Sequence, residues 1–188
     1  MPYFTDADAR SIIRTTYETA APARHDVAQA LYRADELAGL PDGALAWAFG
    51  VGNPVRHAGL RSGEVVLDVG CGAGIDTLIA ATRVGPGGRV IGVDMTPAML
   101  ERARRHAGLM SLANVELVEG LMESLPLTEA SVDVVVSNGV LNLSTRKSRA
   151  LAEMRRVLRP GGRVALADLV LAEALPEEIQ RDATALAV

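Results

Sequence analysis

Cysteine is nearly absent. Cys71 is the single one in 188 residues, which excludes a disulfide framework, and no grouping of cysteine and histidine has zinc spacing. The three histidines, His25, His57 and His106, are scattered and read as surface or partly buried side chains. Aromatic residues make up only 3% of a chain that is 49% hydrophobic, so its core must be built from Ala, Val and Leu. Positive charge is not in excess: the formal net charge is -4, which leaves no electrostatic footprint for nucleic acid. No apolar run approaches the roughly 20 residues that span a bilayer. The N-terminus carries neither the basic region nor the apolar segment of an export signal. These absences point to a cytoplasmic protein that binds neither nucleic acid nor membrane. No internal repeat or low-complexity tract is present, and the length suits one domain with a real core.

What is present centres on Val65-Val66-Leu67-Asp68-Val69-Gly70-Cys71-Gly72-Ala73-Gly74. The apolar, β-branched run reads as a buried parallel strand, and the glycines mark a turn where backbone approaches a ligand closely. Ile75 to Val84 then reads as a helix, so free N–H groups and a positive dipole end meet at one point, as a nucleotide-like cofactor needs. A dinucleotide fingerprint would have a third glycine where Ile75 stands, which counts against NAD. Asp68, at the end of the strand, would repel a pyrophosphate and attract an ammonium group. S-adenosylmethionine carries an α-amino group and no phosphate, and it is the cofactor this turn suits.

The remaining elements follow in order. Asp8 to Leu37 reads as one or two helices interrupted near Pro22, and Ala44 to Phe49 as a short apolar helix ending at Gly50. Gly50 to Pro54 is a glycine-rich loop, read as a connection or as a lid over the cofactor. Residues 1–58 therefore form an N-terminal helical cap and lid loop, and residues 59–188 an α/β core. In that core Arg89 to Val93 is a second strand ending in Asp94, placed where doubly wound folds hold ribose hydroxyls, with Thr96 and Pro97 starting the next helix. Asn114 to Val118 and Val132 to Ser137 are the third and fourth strands. A helix capped by Ser144 carries Leu151, Met154, Val157 and Leu158 on an apolar stripe, and Arg159-Pro160-Gly161-Gly162 turns into a fifth strand, Arg163 to Val170. The alternation of strand and helix predicts a Rossmann-like parallel sheet with helices on both faces.

Asp68-x-Gly70-x-Gly72-x-Gly74, Gly92-Val93-Asp94-Met95-Thr96-Pro97, Leu125-Pro126, Ser131 to Asn138 and Leu158 to Arg163 together resemble class I S-adenosylmethionine-dependent methyltransferases over roughly residues 40–170. Within that superfamily the chain is most similar to the arsenite methyltransferase family, through Gly50 to Pro54, Val93 to Pro97, Ser137 to Leu143 and Ala167 to Val170. The resemblance implies that Asp68, Gly70, Gly72, Gly74, Asp94, Met95 and Ser137 bind the cofactor. Leu121 stands where the superfamily often has an acidic residue for adenine, which leaves that base to Met122 and Glu123. The arsenite family has arsenic-binding cysteines where this chain has Val51 and Gly139, and neither residue offers a thiolate to a soft metalloid.

The expected activity is methyl transfer to a small-molecule acceptor other than arsenite. The alternative is a cofactor-binding, non-methylating enzyme or a structural subunit on the same scaffold. Displacement at a sulfonium needs placement more than acid or base, so no catalytic residue is implied. Asn138, Asn142 and Tyr17 are the candidates to position substrate, and no metal is expected. The antiparallel hairpin that usually completes this sheet has no counterpart after the single short segment Glu177 to Ala187. Strand five is then an open edge that a second copy is expected to cover.

Overall fold

The computed structural model describes residues 3–22, 25–183 and 185. Five helices precede the first strand: α1 (Asp6–Thr19), α2 (Asp26–Leu31), α3 (Ala34–Leu37), α4 (Asp42–Ala46) and α5 (Pro54–His57). A sheet follows, built from β1 (Val65–Val69), β2 (Arg89–Asp94), β3 (Val115–Glu119), β4 (Val132–Asn138) and β5 (Leu158–Ala167). Helix α6 (Ile75–Val84) joins β1 to β2, α7 (Pro97–Leu109) joins β2 to β3, and α8 (Lys147–Val157) joins β4 to β5. A single turn, α9 (Glu177–Gln180), comes last. The end of the expected Glu177 to Ala187 segment lies outside the described residues. All neighbouring strands are parallel in the order β3-β2-β1-β4-β5. Among the described residues no helix is long and apolar enough to cross a membrane.

Alternate residues of the central strands point to opposite faces, and both faces are covered. Val66, Val90, Val134 and Val136 pack with Ile75, Ile79 and Val84 of α6, Val55 of α5 and Tyr32. Leu67, Val69, Ile91, Val93 and Val135 face Met154 and Val157 of α8. Small aliphatic side chains fill both layers, as the scarcity of aromatics demands.

Several boundaries differ from the sequence reading. The stretch from Asp8 to Leu37 holds three helices. The first starts at Asp6 because Thr5 and Asp8 form a reciprocal capping box, and the second ends where Tyr32 turns extended and carries its ring into the core. Helix α4 stops at Ala46, so Trp47 and Phe49 leave the helix. Strand β3 begins one residue late because the Asn114 amide donates to the carbonyls of Ala81 and Gly85 at the end of α6. Ser144 does not cap α8, which starts at Lys147; its hydroxyl accepts from the Arg146 N–H and donates to Glu123 at 2.5 Å. Strand β5 pairs from Leu158, loops out over residues 159–162 and resumes at Arg163, and it ends at Ala167, not Val170.

Glu36 on α3 fastens the cap to the core. Its carboxylate, 4% exposed, accepts from Arg56 (2.5 Å), Arg83 (2.6 Å) and the Asn53 amide (3.0 Å). Arg56, against the opposing cost of burial, holds its pKa down at about 2. Because the folded pKa is depressed, this stabilisation is present above the ordinary carboxylate range and is lost as pH falls towards 2. Glu36→Gln is expected to lower unfolding stability at pH 7 by about 3 kcal/mol in denaturant titration, the low end for breaking a buried ion pair, since both arginines reach solvent. A loss below about 0.5 kcal/mol would show that the cap is not held this way.

Candidate active site

The carboxyl ends of β1, β2 and β4 meet at one cavity. Leaving β1, the chain turns through Gly70, Gly72 and Gly74 at φ of +72°, +52° and +96°, a left-handed conformation that side chains resist. A Cβ on Gly70 would lie 2.4 Å from Val140, whereas one on Gly72 would enter open space. Four N–H groups of the turn are engaged within the chain. Gly70 and Cys71 donate to the Val93 carbonyl, Gly72 to Asp94 and Gly74 to the Cys71 carbonyl. These four donors are spent on holding the turn in shape.

Three carboxylates surround this turn. Asp94 accepts from Gly72 N–H at 2.9 Å and from Thr96 N–H at 2.8 Å; burial raises its pKa, and these N–H groups oppose the rise. The Thr96 hydroxyl and the Met95 N–H also stand against this carboxylate. Asp68 is 1% exposed and accepts from the Thr77 hydroxyl at 2.5 Å. Burial first, and the Asp76 carboxylate second, push its pKa up to about 8. Asp76, in the first turn of α6, accepts from Tyr32 Oη and Asn138 Nδ2, both at 2.9 Å, and burial raises it to about 6.

The cavity encloses about 1110 Å³, its open mouth included. Asp68, Gly70, Gly72, Asp94, Met95, Met122, Glu123, Asn138 and Tyr17 line it, so nine of the twelve residues singled out from sequence come together. Gly74, Ser137 and Asn142 do not line it. Gly74 packs behind the turn against Ala103, Ser137 donates to the Val69 carbonyl between the strands, and Asn142 gives its N–H to Asp168. The Asn142 side-chain oxygen is buried without a hydrogen-bond partner among the described residues.

Helix α1 lies across the mouth. Ala9, Arg10, Ile13 and Tyr17 face the cavity. Arg14 donates to the Met95 carbonyl at 2.7 Å and pairs with Glu119 at 3.2 Å, while Asp6 pairs with Arg146 and accepts from Thr145 at 2.6 Å. Trp47 and Phe49 complete the wall, edge to face at 5.9 Å, and Tyr17 meets Phe49 at 5.8 Å. Asp76 was missed because nothing local distinguishes it, whereas Trp47 and Phe49 were legible as an apolar stretch suited to lining a pocket under the cap.

A family profile described as a methyltransferase domain matches residues 60–187. The chain belongs to the class I methyltransferase family. A relative named arsenite methyltransferase from Halobacterium salinarum is 46% identical over 155 residues, 82% of this chain and 39% of its own length. A demethylmenaquinone methyltransferase from Symbiobacterium thermophilum is 37% identical over 110 residues, 58% of this chain and 44% of the other. The crystal structure of an arsenic(III) S-adenosylmethionine methyltransferase from Chlamydomonas reinhardtii superposes with a TM-score of 0.70 at 38% identity, covering 85% of this chain and 54% of that one. The chain thus spans about half or less of the length of these relatives.

The residues present fit the methyltransferase cofactor. Its features are an ammonium group, a diol and an adenine, and the cavity offers a buried carboxylate at Asp68, a second carboxylate at Asp94 and apolar side chains at Leu121 and Met122. The open space beyond Gly72 is where backbone admits a ligand at close range. Val51 and Gly139 adjoin one another: a Cβ on Gly139 would stand 3.4 Å from Val51 Cγ1. The two positions without thiols are therefore neighbours at the edge of the same site.

Proposed function

We propose that this methyltransferase transfers a methyl group from S-adenosylmethionine to a small organic acceptor held beneath the cap, and that arsenite is not that acceptor. The observation that carries the reading is the contact of Val51 with Gly139 beside the aromatic wall of Trp47 and Phe49. A soft metalloid is held by thiolates, and this pair presents hydrocarbon. Asp68 holds the ammonium of the cofactor, Asp94 its ribose hydroxyls, and Met95, Met122 and Glu123 its adenine side. When bound, the cofactor supplies an electrophilic methyl on a sulfonium. The chain's own contribution is placement of the acceptor about 3 to 3.5 Å from that methyl, in line with sulfur, together with exclusion of water by α1. Tyr17 reaches from α1 toward the acceptor.

Purified protein is expected to bind S-adenosylmethionine in calorimetric titration and to release S-adenosylhomocysteine with an organic acceptor. With sodium arsenite and a thiol reductant, no methylated arsenic is expected. Its detection by mass spectrometry would overturn the choice of acceptor. A titration without heat would remove the activity itself.

A second copy of the chain is proposed to cover β5. This strand ends the sheet order, and Val164 and Leu166, two residues apart on one face, are exposed, as are Leu169, Val170 and Leu171 beyond it. An open apolar edge of this kind is a template for pairing. Light scattering at micromolar concentration is expected to give a dimer and Val164→Lys to give a monomer. A monomeric wild type would end this proposal.

A further inference from the structure

We infer that Asn138 is a positioning residue that acts on the acceptor through the Val51–Gly52 loop and never touches the acceptor itself. The inference rests on the reading above in which Val51 forms part of the acceptor wall. The sequence suggests Asn138 as a side chain that holds substrate, because it stands at the carboxyl end of β4. The structure leaves it no capacity to do so. A carboxamide has two acceptor lone pairs on oxygen and two N–H donors. Oδ1 accepts from Val51 N–H at 2.9 Å and Gly52 N–H at 3.1 Å, which uses both lone pairs. Nδ2 donates to the Gly52 carbonyl at 2.8 Å and to Asp76 at 2.9 Å, with Tyr32 Oη a further neighbour at 3.1 Å.

The same side chain therefore joins four parts of the molecule. It grips both N–H groups of the loop and one of its carbonyls, and it reaches Asp76 at the start of the helix that follows the glycine turn. Through Tyr32 it also meets the cap. Packing around it is tight: a Cβ on Gly50 would lie 2.3 Å from Asn138 Nδ2, and one on Gly52 would lie 2.7 Å from the Ala167 Cβ. The loop thus runs glycine at Gly50 and Gly52 because it must lie against this amide and against β5. Val51, between them, is thereby set beside Gly139. The carboxamide fixes the distance between the acceptor wall and the cofactor turn, and an acceptor bound against Val51 inherits that distance.

The test is amide hydrogen exchange of the full chain, read at Val51 and Gly52 and, as an internal control, at Leu67 and Val69 in β1. S-adenosylmethionine titration is run on each variant. Asn138→Leu, similar in size and without polar atoms, is expected to speed exchange at Val51 and Gly52 at least tenfold. The control amides change less than threefold. Asn138→Asp keeps an oxygen that accepts from both loop N–H groups but sets its second oxygen against the Asp76 carboxylate and the Gly52 carbonyl. Relative to wild type at the same pH, it is expected to restore most of the protection at pH 5, where the two carboxyl groups share a proton, and to lose it at pH 8. Emission from Trp47, the single tryptophan, reports the same loosening as a red shift in the leucine variant and its reversal in the aspartate variant at pH 5. If Asn138→Leu does not fold, Asn138→Ser, too short to reach the loop, gives the same comparison.

Unchanged exchange at Val51 and Gly52 in the leucine or serine variant overturns the inference. Failure of aspartate to rescue the loop at pH 5 also overturns it, because the oxygen would then not be the gripping atom. A cofactor affinity loss above tenfold with the loop still protected would place Asn138 in the cofactor site instead. A wild type that binds no cofactor removes the function proposed above yet leaves the exchange result to stand or fall alone.

Discussion

Replacing Asp94 with alanine is expected to weaken S-adenosylmethionine binding about a hundredfold in calorimetric titration. The carboxylate holds the Gly72 N–H and the Thr96 N–H and lines the cavity, so it fixes the glycine turn at the place proposed for the ribose diol. Hydrogen bonds to charged groups contribute roughly 1.5 to 3 kcal/mol each, and losing the ribose contacts along with the tether on the turn removes about 3 kcal/mol of binding. That is about a hundredfold in affinity. Asp94→Asn keeps one oxygen acceptor and should fall between the two. An alanine variant that binds within threefold of wild type would show that the sugar is held elsewhere.

Cofactor affinity should also rise about tenfold per pH unit from pH 6 towards pH 7.5. Asp68 is buried beside Asp76, and its pKa is pushed up to about 8, so the free protein carries a proton there at neutral pH. An ammonium group pairs with the ionised form, and binding must release that proton. The gain flattens near pH 8, where the ligand's own α-amino group, with a pKa of about 8, starts to lose its charge. Titrations in buffers of different ionisation enthalpy should find close to one proton released at pH 7. Asp68→Asn should bind weakly and without this slope, and a flat wild-type profile would remove Asp68 from the ammonium site.

The same raised pKa carries a stability consequence of opposite direction. The folded state of the free protein binds more protons than the unfolded chain between the ordinary carboxylate range near 4 and about 8. Unfolding stability without ligand should therefore fall as pH rises through that window, with Asp76, raised to about 6, adding to the lower part of it. Asp68 thus favours the ligand-bound state at the expense of the empty one.

The sheet and its cofactor end were readable from sequence for a local reason. β1, β2 and β4 are largely buried on both faces, so each is mostly apolar, with Asp68, Asp94 and Ser137 towards the carboxyl ends, and the glycines after β1 are required by positive φ whatever surrounds them. Asp68 and Asp94 stand at strand ends, where parallel topology sends them to one point. The strand of weakest local signature, β5, was misjudged at both ends because its loop of residues 159–162 interrupts pairing without leaving the strand.

By itself, then, the sequence determined the order of strands and helices, the glycine turn, the two strand-end carboxylates and the absence of a thiol at Val51 and Gly139. Each of these is written in residues a few positions apart. Only the tertiary structure decided which residues of α1 face the cavity, that Trp47 and Phe49 leave their helix, and that Gly70, Cys71, Gly72 and Gly74 spend their N–H groups within the chain. It also decided that Asn138 grips a loop instead of a ligand. Those facts join residues as far apart as Asp6 and Arg146, or Val51 and Asn138. The physical reason is that a hydrogen-bonding group has a fixed number of partners, and which groups compete for them is settled only when distant segments pack together.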